Sequence, residues 1–193
     1  MITYNNIKLR DYQKNAVENI LFCLQNTDLI PVLTEPPGSG KTIMATKIME
    51  KMLELGYKRI LFLCEGQSVL RLQNYIEILT TINPKYKIQI LKSKYEFDPT
   101  ANVIVTLPQT INSLKEKFDF LVVDEAHNRY LQKEMQEIIF NNNIKKQFLL
   151  TATPSCFLYE NDKEYKYKLV GHTFLDLYSK SIELNETWFI LLI

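Results

Sequence analysis

One loop pattern constrains this chain more than any other feature. The segment Glu35–Thr42 reads EPPGSGKT, follows the apolar run Leu29–Leu33 and leads into a stretch with helical periodicity. This strand–loop–helix context is typical of a phosphate-binding loop, in which backbone N–H groups and the start of a helix face phosphate oxygens. Lys41 is placed to reach the β- and γ-phosphates, and the Thr42 hydroxyl to ligate Mg²⁺. A plainer alternative is a Gly-Ser turn before a helix, and Glu35 departs from the Gly or Ala usual at that position.

Two acidic residues follow a second apolar run. Residues Phe120–Val123 precede Asp124 and Glu125, a pattern that predicts a buried parallel strand with carboxylates at its carboxyl end. Because ligands of open α/β sheets bind at that edge, we expect Asp124 to hold Mg²⁺ through water and Glu125 to act as the general base. The alternative is a strand end followed by a solvated helix cap. The loop pattern upstream favours the catalytic interpretation.

Composition narrows the class of protein. With 193 residues, 46% of them apolar and 23% charged, the chain suits one domain with a substantial core. A formal net charge of +1 gives no overall basic field, so binding of nucleic acid would depend on local groups. Three cysteines and two histidines without zinc spacing predict reduced thiols and no dedicated metal cage. Since no signal segment and no apolar run of about 18 residues occurs, we expect a soluble intracellular protein of the cytoplasm or nucleus, with no membrane partner and a viral source left open.

Strand and helix patterns alternate along the chain, which predicts an α/β fold with a doubly wound, mainly parallel sheet. Asp11 is the expected N-cap of the first helix, and Gly56 the expected stop of the second. The charged, Tyr-rich segment Tyr159–Lys168 predicts a surface excursion or hairpin. The predicted helices are Arg10–Leu24, a helix from the end of the phosphate-binding loop to Leu55, Ser68–Leu79, Pro108–Leu114 and Gln132–Phe140. The predicted strands are Leu29–Thr34, Arg59–Cys64, Ile88–Leu91, Val103–Thr106, Phe120–Asp124 and Gln147–Leu150. The residues predicted to face inward from the third helix are Leu72, Tyr75, Ile76 and Leu79.

Seven segments follow the motif order of one family. They are Leu9–Gln13, Pro36–Thr42, Leu61–Leu70, Val103–Thr110, Asp124–His127, Thr151–Pro154 and Gly171–Leu184. Over this span the chain resembles the first (N-terminal) RecA-like motor lobe of superfamily 2 helicases and translocases, of the DEAH/DExH-type and type III restriction-like groups. The resemblance implies a RecA-like P-loop NTPase lobe over residues 1–184. Residues 185–193 would then form a terminal strand or the start of a linker to an absent second lobe.

The resemblance also implies ATP and Mg²⁺ as cofactors and assigns roles to individual residues. Gln13 would read the adenine edge, since its amide offers both a donor and an acceptor, although an exposed helix Gln is the alternative. The implied nucleotide-binding residues are Arg10, Gln13, Pro37, Gly38, Ser39, Gly40, Lys41 and Thr42. The implied Mg²⁺ ligands are Thr42 and Asp124, the catalytic residues Lys41, Asp124 and Glu125, and the residues coupling hydrolysis to movement His127, Thr151 and Thr153.

Contacts to DNA or RNA are implied for two further loops. Related proteins touch the sugar–phosphate backbone largely through main-chain N–H groups and small hydroxyls. Family members commonly carry Pro and a basic residue in the first of these loops, whereas this chain has Glu65, which would repel phosphate. The candidates are Gly66, Gln67, Ser68, Thr106, Gln109 and Thr110, for which an ordinary loop is the alternative.

The arginines limit the activity expected of this chain. Helicases of this superfamily bind ATP between two lobes, and the second lobe supplies arginine fingers worth about 10³–10⁵-fold in turnover. After Leu184 only residues 185–193 remain, and the four arginines all belong to elements of the first lobe: Arg10, Arg59, Arg71 and Arg129. We therefore expect a helicase-type ATPase lobe that is weakly active or inactive alone, with its second lobe in another chain or lost by truncation.

Two other functions stay open. A degenerate lobe would grip nucleic acid or a partner without hydrolysis, but Lys41, Thr42, Asp124 and Glu125 are all present. A different phosphate-loop enzyme, such as a nucleotide kinase, would need a lid with catalytic arginines, and the small number of arginines speaks against it.

Overall fold

A parallel sheet forms the centre of the protein. The computed structural model describes residues 7–64, 68–111, 116–158 and 166–171, apart from the side chains of residues 68 and 70. In this part of the chain the strands are β1 (Ile30–Thr34), β2 (Ile60–Leu63), β3 (Ile88–Ile90), β4 (Val103–Thr106), β5 (Phe120–Val123), β6 (Lys146–Thr151) and β7 (Tyr167–Gly171). Their order is β3-β4-β2-β5-β6-β1-β7, and all neighbours pair in parallel. The predicted α/β class with a parallel sheet is therefore confirmed.

Helices cover both faces of the sheet. The helices are α1 (Asp11–Asn26), α2 (Lys41–Glu54), α3 (Ser68–Thr81), α4 (Pro108–Ile111), α5 (Ala126–Arg129) and α6 (Lys133–Asn141), with a short 3-10 helix at Lys94–Glu96. Gly56 follows α2 with φ +99°, the left-handed conformation expected of a residue just beyond a helix end. None of the helices in the described ranges is long and apolar enough to cross a membrane.

Alternate residues of each strand lie in two hydrophobic cores, one on each face of the sheet. Leu33, Phe62 and Val122 are fully buried on the face covered by α1, α2 and α3. Val32 and Leu61 are fully buried on the opposite face, with residues of α6. Burying one such side chain contributes about 1.5–3 kcal/mol, so covering both faces fixes the register of each strand. Because all strands run in the same direction, the loops after β1, β2, β5 and β6 meet at one edge.

The start of α1 differs from the prediction. Asp11 is the first helical residue, and Arg10 occupies the cap position with extended backbone. The Arg10 N–H donates to Oε1 of Gln13 at 2.9 Å. The Arg10 N–H is thus bonded by the side chain of Gln13, three residues further on. The expected N-cap, Asp11, is instead the first residue of the helix.

The segment predicted as a surface excursion contains part of a strand. Residues 159–165 lie outside the described ranges, but Tyr167 and Lys168 belong to β7, which runs parallel to β1 with Ile30 opposite Tyr167. The Tyr167 ring is buried, with its centroid 5.2 Å from that of Phe157. Lys168 is exposed, as predicted, but the prediction was wrong for Tyr167 and for the strand itself, because both depend on β1 and Phe157, which are distant in sequence.

The inward face of α3 also differs from the prediction. Leu72 and Ile76 are 48% and 45% exposed, although both were expected to face the core. Arg71 and Asn74 are 8% and 9% exposed and face inward instead, together with Ile78. Tyr75 and Leu79 are half-buried and pack against the core, so the prediction holds for these two residues and fails for Leu72 and Ile76. The difference brings the polar side chain of Asn74 to the carboxyl edge of the sheet.

Candidate active site

The loop after β1 folds around its own lysine. Nζ of Lys41 donates to the carbonyl oxygens of Glu35, at 2.9 Å, and Pro36, at 3.3 Å. Gly38 and Gly40 have φ of +78° and +84°, a conformation that costs other residues about 1–2 kcal/mol. Oγ of Ser39 is buried and has no hydrogen-bond partner in the structure. Buried polar atoms are normally bonded, so an orphaned hydroxyl beside a lysine fits a loop that binds an anionic ligand.

Glu35 departs from the usual loop pattern, and its surroundings give the reason. Its side chain is 2% exposed, and its N–H donates to the Thr151 carbonyl at 3.2 Å. A Cβ at Gly171, which has φ +114°, would lie 3.0 Å from Oε1 of Glu35. The same Cβ would lie 2.5 Å from the Thr34 carbonyl oxygen, so the close approach of the β1 backbone requires glycine here, and the absence of a side chain also leaves space for Glu35.

Two side chains of α1 hold the loop from the other side. Nε2 of Gln13 and the hydroxyl of Tyr12 both donate to the Ser39 carbonyl at 2.8 Å. Gln13 is 7% exposed, so it is not the exposed helix Gln of the alternative interpretation, whereas Arg10 is exposed. Tyr12 was missed as a site residue because its spacing fits the apolar stripe of the helix.

Substitution of Gly40 by Ala tests the contact between α1 and the loop. The new Cβ would lie 2.7 Å from Nε2 of Gln13, in a backbone conformation that disfavours any side chain. We expect a loss of stability of about 1–2 kcal/mol from the backbone and displacement of Gln13 from Ser39. Thermal melting measures the stability, and titration with ATP and GTP measures base discrimination.

Gly56→Ala is the matched control for this variant. Gly56 also has positive φ, but nothing lies within 4 Å of its added Cβ. Both variants should melt earlier, and only Gly40→Ala should bind nucleotide more weakly. Equal nucleotide affinity in the two variants would show that Gln13 does not support the loop.

The two acids follow β5 at the carboxyl edge. The Asp124 N–H donates to the Leu63 carbonyl at 2.9 Å, and the Glu125 N–H donates to Oδ1 of Asp124 at 3.1 Å. Glu125 adopts φ 47° and ψ 46°, a left-handed conformation. A residue other than glycine pays about 1–3 kcal/mol there, and such strain clusters at functional sites. The turn presents both carboxylates, half-buried, at the edge where ligands of parallel sheets bind.

Asn74 of α3 contacts both halves of the site and was missed from the sequence. Its Nδ2 donates to Oδ2 of Asp124 at 2.9 Å, and the Thr42 hydroxyl lies 3.5 Å from its Oδ1. Glu77, one turn further along α3, also bonds Thr42, and burial raises the pKa of its carboxyl group. No pattern in the sequence indicates Asn74 or Glu77, because the apolar residues of α3 were expected to form its inward face.

The thiol of Cys64, which lies beside Asn74, is unreactive. Burial raises the pKa of Cys64 to about 12, and a bond from Asn74 opposes that rise only in part. Cys64 therefore stays protonated at neutral pH and acts as a small buried side chain. In the described ranges no group of three or more His, Cys, Asp or Glu residues could hold a metal ion, so a cation here would depend on few protein ligands and on the nucleotide.

The coupling candidates His127 and Thr151 are in contact. Nδ1 of His127 lies 2.9 Å from the Thr151 hydroxyl and 3.5 Å from Oε2 of Glu125. The Thr151 hydroxyl also accepts the N–H of Thr153, at 3.0 Å, whose side chain is exposed. These contacts connect the end of β6 to the acid that follows β5.

The nucleic-acid candidates are only partly placed. Gly66, Gln67 and the side chain of Ser68 lie outside what the structure describes. Thr106 is fully buried, and its hydroxyl donates to the Leu91 carbonyl at 2.8 Å, so this hydroxyl does not face a nucleic-acid phosphate. The exposed Gln109 and the half-buried Thr110 lie on α4, where both stay predictions.

Comparison with known proteins places this fold and site in a class of helicase-like ATPase domains. The chain belongs to the family described as the type III restriction enzyme, res subunit, whose model matches residues 6–156. This match confirms the resemblance to an N-terminal RecA-like lobe of superfamily 2.

Similar solved structures share the fold. The SWI2/SNF2 ATPase core of Sulfolobus solfataricus, solved with double-stranded DNA, is 22% identical with a TM-score of 0.67 over 80% of this chain and 34% of that one. The UvsW helicase of bacteriophage T4 is 21% identical with a TM-score of 0.68 over 89% of this chain and 64% of that one. The Hef helicase domain of Pyrococcus furiosus is 22% identical with a TM-score of 0.66 over 89% of this chain and 39% of that one.

One curated relative carries no stated function. The uncharacterized protein MJ1519 of Methanocaldococcus jannaschii is 30% identical over 121 residues, which is 62% of this chain. The match spans 10% of that relative's length, and this chain spans between about a third and two thirds of the three solved structures above.

Proposed function

We propose that this chain is the ATP- and Mg²⁺-binding lobe of a nucleic-acid-dependent ATPase of helicase type. The observation that supports the proposal most is the arrangement at the carboxyl edge: a loop closed around Lys41 on one side, two carboxylates on the other, and Asn74 in contact with both. The orphaned Ser39 hydroxyl and the donor set of Thr42 and Asp124 fit a phosphate chain and a hard cation.

Each residue has a defined task in this proposal. Lys41 and the N–H groups of the loop would bind the phosphates, and Gln13 and Tyr12 hold the loop through the Ser39 carbonyl. Thr42 and Asp124 would hold Mg²⁺, which neutralises charge on the phosphate oxygens when bound. Glu125 accepts a proton from the attacking water. His127 and Thr151 connect Glu125, the proposed general base, to the end of β6. Through this connection hydrolysis would be coupled to movement.

Hydrolysis by this chain alone is expected to be slow. Arg59 is paired with Glu116 at 2.7 Å and Arg71 is buried, while Arg10 precedes α1 in the same lobe as the phosphate-binding loop, so none of the three is placed to approach a γ-phosphate from across the nucleotide. Arg129 lies on α5, beside the two acids. We propose that a second lobe, in another chain or in a longer form of this one, supplies the missing arginine.

An ATPase assay tests this function directly. Binding of fluorescent ADP is measured with and without Mg²⁺, and phosphate release with and without single-stranded DNA, duplex DNA, RNA and a candidate partner lobe. Duplex DNA comes first because the Sulfolobus neighbour was solved with it. We expect Mg²⁺-dependent binding and slow release that a partner accelerates.

Two results would each reject one part of the proposal. Absence of Mg²⁺-dependent nucleotide binding would favour the degenerate module that grips nucleic acid or a partner without hydrolysis. Fast, nucleic-acid-stimulated turnover by the isolated chain would remove the need for a second lobe. A single-turnover measurement separates slow hydrolysis from none.

A further inference from the structure

The helix α3 buries polar side chains beside its core residue Ile78 and exposes three apolar ones, Val69, Leu72 and Ile76. Arg71, Asn74 and Thr81 are less than 10% exposed, while Val69 is 67% exposed. An amphipathic helix normally turns its apolar stripe inward, because burying polar groups is favourable only when they are well bonded. The burial of Asn74 therefore needs bonds to its amide, and the structure shows them.

Asn74 is bonded on every side to segments that end at the carboxyl edge. Its Nδ2 donates to Oδ2 of Asp124 at 2.9 Å and lies 3.5 Å from Sγ of Cys64, at the end of β2. Its Oδ1 faces the Thr42 hydroxyl at 3.5 Å. One amide thus spans the start of α2, the end of β2 and the end of β5, and it uses both its donor and its acceptor.

These contacts fix the orientation of the Asp124 carboxylate. Oδ2 of Asp124 is held by Asn74, and Oδ1 accepts the N–H of Glu125 at 3.1 Å. Because each oxygen accepts a hydrogen bond, the plane of the carboxylate is set before any ligand binds. The Thr42 hydroxyl is directed by the other end of the same Asn74 amide. Groups that orient metal ligands in this way preorganise a cation site.

We infer that Asn74 is a positioning residue that sets the Thr42 hydroxyl and the Asp124 carboxylate for the cation of a bound Mg²⁺·nucleotide. The inference rests on the proposed function and adds to it a residue from α3. Asn74 acts through Thr42 and Asp124. Its loss should therefore weaken the contribution of Mg²⁺ to nucleotide binding, while binding without Mg²⁺ changes little.

The first experiment compares Asn74→Ala with Ile78→Val. Ile78 is fully buried on the same helix and lies in the core, so this variant reports ordinary loss of packing. Binding of N-methylanthraniloyl-ADP is titrated in Mg²⁺ and in EDTA, and both variants are melted. The quantity compared is the dissociation constant in EDTA divided by the dissociation constant in Mg²⁺. We expect this ratio to fall about tenfold or more in Asn74→Ala and to stay at the wild-type value in Ile78→Val.

The second experiment uses Asn74→Asp, which keeps the shape of the side chain. Its carboxylate would replace a donor that lies 2.9 Å from Oδ2 of Asp124, so two like charges would face each other. We expect a lower melting temperature than wild type in EDTA and substantial recovery when Mg²⁺ is added, with little Mg²⁺ effect on the wild type. Recovery of the melting temperature identifies position 74 as adjacent to a cation site. A side chain that only packs in the core would show no such response to Mg²⁺.

The outcomes separate the two proposals. If the wild type binds the probe equally in Mg²⁺ and EDTA, the proposed function fails and the role of Asn74 fails with it. If the wild type shows the Mg²⁺ gain and Asn74→Ala keeps it, only the positioning role is rejected. A melting temperature of Asn74→Asp that does not respond to Mg²⁺ would also reject the positioning role.

Discussion

Replacing Lys41 by Ala should abolish ATP hydrolysis and weaken nucleotide binding by about 10- to 100-fold. Nζ of Lys41 bonds the carbonyls of Glu35 and Pro36 and so already lies inside the loop that is proposed to hold the phosphates. A hydrogen bond to a charged group contributes about 1.5–3 kcal/mol, and every 1.4 kcal/mol is about tenfold in affinity. Nucleotide titration and phosphate release measure the two effects.

Lys51→Ala is the matched control, because it removes the same charge from the same helix. The Lys51 side chain is 58% exposed and pairs with Glu54 at 2.6 Å, far from the loop in sequence. This variant should bind and hydrolyse ATP like the wild type. Persistence of activity in Lys41→Ala would exclude the lysine from the mechanism and with it the proposed phosphate site.

Replacing Glu125 by Gln should lower turnover by about 10²–10⁴-fold and leave nucleotide binding within about twofold of wild type. The amide has the shape of the carboxylate but cannot accept a proton from water. The backbone of Glu125 is already left-handed, and Gln imposes no additional constraint there. Phosphate release at saturating ATP gives the first quantity, and titration with fluorescent ADP in Mg²⁺ gives the second.

Glu134→Gln serves as the control for charge removal. Glu134 lies exposed in the first turn of α6 and is outside the site. It should leave both turnover and binding unchanged. A Glu125→Gln variant that lost nucleotide binding as well as turnover would indicate that Glu125 holds the ligand and does not act as the base.

The strands and the main loops could be predicted because their signals are local. Apolar runs such as Phe120–Val123 form buried strands wherever both faces are covered, and Gly38 and Gly40 take the positive φ that the loop requires. Lys41, Thr42, Asp124 and Glu125 were placed at the same edge because parallel strands bring their carboxyl ends together. These inferences need only periodicity and the rules of parallel sheets.

The features that escaped prediction depend on contacts between distant segments. The periodicity of α3 predicts that Leu72 and Ile76 face inward, but the bonds of Asn74 to Asp124 and Thr42 accompany the opposite orientation. Tyr167 was predicted to lie at the surface because its burial depends on β1 and on Phe157. Neither contact can be predicted from the local pattern of a single sequence, because each joins segments that are distant along the chain.

The strand order gives the two sides of the site a fixed separation. The loop with Lys41 follows β1 and the acids follow β5, and β6 lies between these two strands. Two steps across a sheet measure about 10 Å, roughly the room needed for a phosphate chain and a cation. The Glu35 N–H continues the pairing with β6 by donating to the Thr151 carbonyl, so this spacing extends to the first residue of the loop. The width of the cleft is therefore a property of the main chain, and side-chain substitutions should alter its chemistry while leaving its dimensions unchanged.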